Sequence, residues 1–381
     1  MLTSAPDFKV DPKEALKLRL FEVLDGDKYD LSLDRKYSNS ITSIDLIPRF
    51  FRGYGAVKPV ADLASNTVSI SNNFSIQGKN YTCRVQPAVI QRVDRKTKEK
   101  IEFYALPSDA EELIEKVIFL IASTNGLERK SIGGISRYGT SFSLYEIKKY
   151  LQLMGKTKSY EQIRESLTII RDSKTRISQI DQNNPKRRAE ITHDVWSDAV
   201  LELEGNGRGR DRCYIGFSDF VVQEISNLSY RQILFSRLTC YGSTFSRYLD
   251  LYLSSMWTSA TIDRKEPISL LRIMESFGKP QVSIVTKRRD MRAALLDLLE
   301  KNVIKTVPSP IKKRINDEEF DYLYYLEPTD HFVEEMIISN GKLKGLKSLS
   351  RKISEDEISE LPDKVGRVYS DFACENSHII G

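Results

Sequence analysis

The stretch KPQVSIVTKRRDMR at positions 279–292 sets ammonium, guanidinium, hydroxyl and carboxylate groups at helical spacing. An arginine in a major groove matches the O6 and N7 acceptors of guanine, and a carboxylate there accepts from cytosine N4. Lysines reach phosphates, which position a protein without reading sequence. On a helical wheel Thr286, Arg289, Asp290 and Ala293 lie opposite an apolar stripe, flanked by Lys287 and Arg292, while Arg288 falls on the apolar side. An earlier stretch, GKTKSYEQIR at 155–164, offers Lys156, Lys158, Ser159, Tyr160, Gln162 and Arg164 for the same chemistry. There Glu161 and Glu165 oppose phosphates, so the later stretch is expected to be the stronger contact.

The elements that must position these groups form the same pattern twice. Leu144, Ile147, Tyr150 and Leu151 repeat at helical spacing up to Gly155, and Ser159 with Gln162 makes a capping box for a second helix. Ile163, Leu167 and Ile170 of that helix face a core, leaving Lys158, Glu161, Gln162, Glu165 and Thr168 outside. In the later copy Leu270, Ile273, Met274 and Phe277 precede a turn at Gly278 and Pro280 that begins beside Lys279. Ile284, Met291, Leu295, Leu298 and Leu299 make the next stripe. This is the sequence form of a helix-turn-helix. Strands at 175–180 and 189–192 would add a wing to the first copy, with Lys186, Arg187 and Arg188 at its tip. Strands at 303–307 and 320–326 would do the same for the second, with Lys312, Lys313 and Arg314 at the tip.

The remaining chain fills in an α+β architecture. Alternation at Val68, Ile70, Phe74 and Ile76, a β-rich run at 81–93 and a closing strand at 101–104 predict a small antiparallel sheet. Ser108 or Asp109 caps a helix with the stripe Leu113, Val117, Leu120 and Ile121, ended by Gly126. The Gly- and Ser-rich 129–140 reads as a loop, 213–217 as a strand, and 228–256 as a long helix or pair. The expected division is a charged arm at 1–40, either exposed or holding a short helix across 12–24 docked on the body, a small β-rich segment at 41–104, winged-helix domains at 105–227 and 228–338, and a flexible tail at 339–381.

Charge placement fits a protein that lays one face on phosphates. Residues 269–315 carry eleven Lys and Arg against four Asp and Glu, whereas 316–340 carry eight acids and no Lys or Arg. Catalytic and metal chemistry finds no constellation. Cys83, Cys213, Cys240 and Cys374 form no Cys-x-x-Cys, and His193, His331 and His378 form no HExxH. His331 is followed by Phe-Val-Glu, so the His-x-x-Arg of a tyrosine recombinase is missing, and EGNGRGRDR at 204–212 departs from a phosphate-binding loop. No cofactor is called for. No apolar run reaches the roughly 18 residues of a membrane span, and the first residues lack a signal-peptide pattern, so a cytoplasmic location is expected.

The chain resembles the replication initiator proteins of bacterial plasmids, the tandem winged-helix kind. The resemblance runs in order through SNSITSIDLIPRFF at 38–51, LPSDAEELIEKVI at 106–118, the first helix-turn-helix at 143–167 and CYIGFSDFVVQEI at 213–225, as far as DHFVEEM at 330–336. It implies binding of double-stranded DNA at origin direct repeats (iterons), opening of an adjacent A·T-rich segment, and recruitment of a host initiator and replicative helicase. It also implies monomer–dimer exchange, and DNA contacts on Ser159, Tyr160, Gln162, Arg164, Thr286, Lys287, Arg289 and Arg292. The basic sequence PKRR at 185–188, the loop at 204–212 and the 339–381 tail have no counterpart in it. Two other classes fit the same residues: a tandem winged-helix repressor, and a nickase or recombinase with an unrecognised site.

Overall fold

The computed structural model describes residues 11–22, 37–51, 57–60, 69–76, 79–93, 97–132, 135–180, 188–192, 195–197, 212–279, 281–315 and 320–356. Helices alternate with small antiparallel sheets in an α+β arrangement. α1 (Pro12–Arg19) starts from an Asp11 cap and buries Leu18; Leu20 and Phe21 behind it are buried too. β1 (Tyr37–Ile41), α2 (Thr42–Asp45) and β2 (Val57–Pro59) follow. Of the two readings of the charged arm, the described part is the helix docked on the body. β1 pairs with a strand at Tyr230–Leu234, and Ser38, Asn39 and Ser40 are buried.

Pro87 splits the β-rich run in two. β3 (Ile70–Ile76) and β4 (Lys79–Gln86) enter one sheet, while β5 (Ala88–Val93) and β6 (Lys100–Ala105) join β2 in another. α3 (Asp109–Asn125) opens on a capping box in which the Ser108 N–H donates to Glu111 Oε2 at 2.9 Å. Apolar residues line α3, and its Glu111, Glu112, Glu115 and Lys116 are buried as well. Each of the four charges has a partner on a different element. Ser166 Oγ donates to Glu111 at 2.6 Å, Arg247 pairs with Glu112 at 3.5 Å, and Lys116 pairs with Asp45. Glu115 pairs with Arg49 and accepts from Trp196 Nε1 at 3.1 Å. Burial works against the Arg49 charge, yet Glu115 leaves its pKa above the ordinary guanidinium value.

The expected loop at 129–140 is a hairpin: β7 (Glu128–Ile132) and β8 (Ile135–Ser143) pair, and β8 also pairs with a strand at Arg212–Gly216. Its glycine serves close approach, since a Cβ on Gly139 would overlap the Ile215 carbonyl oxygen. Then come α4 (Leu144–Leu153), α5 (Tyr160–Asp172), β9 (Lys174–Ile180), β10 (Arg188–Thr192), β11 (Arg212–Gly216) and α6 (Asp219–Ser226). The expected long helix at 228–256 resolves into β12 (Tyr230–Leu234), α7 (Phe235–Thr239) and α8 (Thr244–Met256). The chain continues through β13 (Glu266–Ser269), α9 (Leu270–Ser276), α10 (Ile284–Glu300), β14 (Ile311–Arg314), β15 (Phe320–Leu326) and α11 (Asp330–Ser354).

α11 corrects the expectation of a flexible tail over 339–354, while 357–381 lie outside the described residues. Ser339, Gly345, Leu346, Leu349 and Ile353 are buried along it, and Ser339 Oγ donates to the Gln232 carbonyl at 3.2 Å. The Ser-, Gly- and Lys-rich composition there reads in sequence as disorder. One apolar cluster extends from Leu18 to Ile353 and takes in both helix-turn-helix pairs.

Candidate nucleic-acid interface

Both short helices close in the same way. Gly155 has φ 69° and Gly278 φ 84°. The Gly155 N–H donates to the Gln152 carbonyl (2.9 Å) and Lys156 N–H to that of Leu151 (2.8 Å). The Gly278 N–H donates to Glu275 (2.8 Å) and Lys279 N–H to Met274 (2.9 Å). This is a Schellman closure, which needs a left-handed residue that glycine supplies without Cβ strain. A serine then caps the next helix: Gln162 N–H donates to Ser159 Oγ (3.2 Å), and Thr286 N–H to Ser283 Oγ (3.3 Å). Lys156 is exposed; Lys279 is half-buried, its ammonium 5.6 Å from the Phe277 ring centroid.

Beyond the turns the two copies diverge. α5 has β5 along one flank: Ile169 clusters with Ala88, Ile90 and Ala105, and Arg92 pairs with Glu165 at 2.7 Å. Glu165, expected to face outward against phosphates, is instead engaged within the protein, and its hydrogen bond raises the Arg92 pKa. Gln162 Oε1 accepts from the Ser159 N–H at 2.9 Å, so its side chain is held in the cap. Tyr160 is half-buried with the Lys148 ammonium 4.5 Å from its ring centroid. Lys158 and Arg164 are also half-buried, whereas Ser159, Glu161 and Gln162 are exposed. Hydrogen bonds from its own backbone and from Ser159 hold Glu161 below the usual carboxylate range, so negative charge stays at the head of α5.

The β9–β10 pairing is present, with Arg188 opposite Ile180. β9 also pairs with β4, which makes the hairpin part of a four-stranded sheet. Lys186 and Arg187 lie outside the described residues.

α10 keeps an open face. Met291, Ala294, Leu295 and Leu298 are its buried residues, and α8 covers a further side, where Ser246 Oγ donates to Asp297 at 2.6 Å. Val285, Arg288, Arg289, Arg292, Ala293 and Leu296 are exposed. Thr286, Lys287 and Asp290 are only half-exposed, which corrects the helical wheel. That wheel counted Ile284 as core, but Ile284 is 36% exposed, so the outward face is rotated toward Val285 and Arg292. Thr286 Oγ1 accepts from Ser283 Oγ at 3.1 Å, and Asp290 accepts from Arg289 at 3.1 Å. Arg288, set on the apolar side by sequence, lies outside with its guanidinium 4.6 Å from the Tyr322 ring centroid. The signal for it was the Arg288-Arg289 doublet itself.

A groove of about 570 Å³ runs between this face and residues 307–310, lined by Arg288, Arg289, Arg292, Val285, Pro308 and Tyr324 among others. Lys312, Lys313 and Arg314 are in the edge strand β14, not at a tip, and all are exposed. Residues 303–307 contribute only an isolated bridge, Ile304 with Pro328; prolines at 308 and 310 keep the ladder from starting earlier. Lys312 faces Tyr322 across the sheet and Arg314 faces Phe320. Directly opposed side chains share a face, so these two cations lie on the side that Arg288 touches. Lys313 faces Asp321, whose carboxylate accepts from Ser269 Oγ at 2.7 Å and from the Leu271 N–H at 3.1 Å.

No protein family matches the sequence, and no curated protein matches it. Solved structures do align with the fold. The crystal structure of a selenomethionine derivative of domains 2 and 3 of RctB is 12% identical, with a TM-score of 0.40. The alignment covers 72% of this chain and 97% of that one. A second structure of those domains, RctB 155–483, is 10% identical with a TM-score of 0.38, covering 72% and 95%. Among the described residues no group of three or more His, Cys, Asp or Glu could hold a metal ion, and no helix is long and apolar enough to cross a membrane.

Proposed function

We propose that the chain is a sequence-specific binder of double-stranded DNA, built on tandem winged helices, that initiates replication at origin repeats without enzymatic activity of its own. The carrying observation is the outward face of α10, where Arg288, Arg289 and Arg292 stand exposed beside Lys312 and Arg314 of β14. The order α8, β13, α9, α10, β14, β15, with β15 between β13 and β14, supports a winged helix in the second unit. In such a unit the second helix of the helix-turn-helix enters the major groove. The resemblance to plasmid initiators adds the repeats, the A·T-rich segment, the host initiator and helicase, and exchange between monomer and dimer.

Footprinting the full chain on supercoiled DNA that carries tandem repeats beside an A·T-rich segment tests this function. Protected repeats, permanganate-reactive thymines in the adjacent segment and DNA that stays covalently closed in magnesium are expected. Binding confined to an inverted repeat without opening refutes the initiator role in favour of a repressor, and nicking refutes the absence of enzymatic activity.

A further inference from the structure

We propose that α10 reads a thymine by its C5-methyl group through Val285, next to a guanine bound by Arg289. This rests on α10 being the DNA-reading helix and adds which bases it takes. Val285 is 73% exposed in the first turn of α10, more than any other large apolar residue described. Apolar surface left in water forgoes about 25 cal/mol per Å², and the helix start does not require this side chain, because Ser283 makes the cap.

What surrounds Val285 narrows the occupant. Arg288 and Arg289 follow at three and four residues, hence on the same face. Asp290 Oδ1 accepts from Arg289 Nε (3.3 Å) and Nη2 (3.1 Å), which steadies the guanidinium and leaves other donors for a base edge. An apolar protein partner would offer no acceptor to the remaining donors of Arg288, Arg289 and Arg292, and phosphate contact alone would leave Val285 against water. The major groove supplies both needs, since thymine offers a methyl and guanine offers paired acceptors. Stacked bases are about 3.4 Å apart, and side chains four apart on a helix start about 5–6 Å apart, so adjacent base pairs suit Val285 and Arg289.

The test uses the full chain and a duplex enriched from a randomised library. Each thymine is replaced singly by deoxyuridine, which lacks only the methyl, and Kd is measured by fluorescence anisotropy. The protein is compared with Val285→Ala and with Val285→Thr, which keeps one γ-methyl. One methyl contact at about 0.8 kcal/mol corresponds to about fourfold in Kd. One deoxyuridine position is expected to weaken the unsubstituted protein and Val285→Thr by about that factor and to leave Val285→Ala unaffected. An adjacent 7-deazaguanine, which lacks N7, is expected to weaken binding unless Arg289 is Ala. Absence of a sensitive thymine, or a penalty that persists in Val285→Ala, overturns the proposal and leaves DNA binding by α10 standing. A sensitive guanine at a distant base pair overturns the pairing. A library with no enriched sequence overturns the sequence-specific binding on which this proposal rests.

Discussion

Replacing Lys312 and Arg314 together by Gln should flatten the salt dependence of DNA binding without changing which sequence is preferred. Both side chains are on the face of β14 turned toward α10, and both are exposed. Each phosphate neutralised contributes about −0.9 to the slope of log K against log salt. Removing both cations should therefore make the slope shallower by about 1.8. Between about 50 and 200 mM salt that amounts to roughly 12-fold less weakening for the variant. The cost in stability should be small, because Lys312 over Phe320, at 3.6 Å, is an exposed cation–π contact of about 0.5–1 kcal/mol. Anisotropy titrations across that salt range, on an enriched duplex and on a random one, give both slopes. Lys313→Gln, on the opposite face, is the control and should leave the slope as it was. An unchanged slope in the double variant refutes a phosphate role for this strand. A change confined to the enriched duplex would make these residues readers of sequence.

Other perturbations probe the scaffold. Glu115→Ala strands the buried Arg49 and the Trp196 N–H and should cost about 3–5 kcal/mol in urea unfolding, with much of it regained when Arg49→Met is added; a loss below about 1 kcal/mol would contradict the pairing. Gly155→Ala should cost about 1–2 kcal/mol for its left-handed backbone alone. Gly278→Ala should cost more, because its new Cβ would also meet Asn72 Nδ2 at 3.3 Å; equal thermal shifts would count against that contact. Burial raises the pKa of Glu275, with Lys287 and Arg272 pulling it back. The folded state thus keeps this proton longer than the unfolded state, so the contribution is present at low pH and lost as pH rises through the raised folded pKa. Glu275→Gln should flatten the stability curve in that window, and identical curves for both proteins would exclude the effect.

Local chemistry was legible where local bonds decide the structure. The Ser159–Gln162 box and the glycine closures are made within a few residues, so they could be read directly. The boundaries that went astray depend on distant partners. β1 is a strand because β12 lies beside it, and β8 because β7 and β11 flank it. Glu165 looked outward on a helical wheel because nothing local announces that Arg92 will cross to meet it. On α10 two apolar residues assigned to the core, Ile284 and Leu299, are exposed, and the first of them turned the wheel far enough to hide Arg288 and to put Thr286 in its place.

The four buried charges of α3 have a mechanical consequence. Glu111 engages α5 through Ser166, while Glu112 engages α8 through Arg247, and α8 in turn packs on α10. The first link is a hydrogen bond from a hydroxyl and the second an ion pair at 3.5 Å, and both carboxylates are buried. α3 therefore ties the two helix-turn-helix units together through buried polar contacts. DNA engaged by both would have to present its contact points at one helical phase, so inserting half a turn between them should abolish joint binding and a full turn should restore the phase.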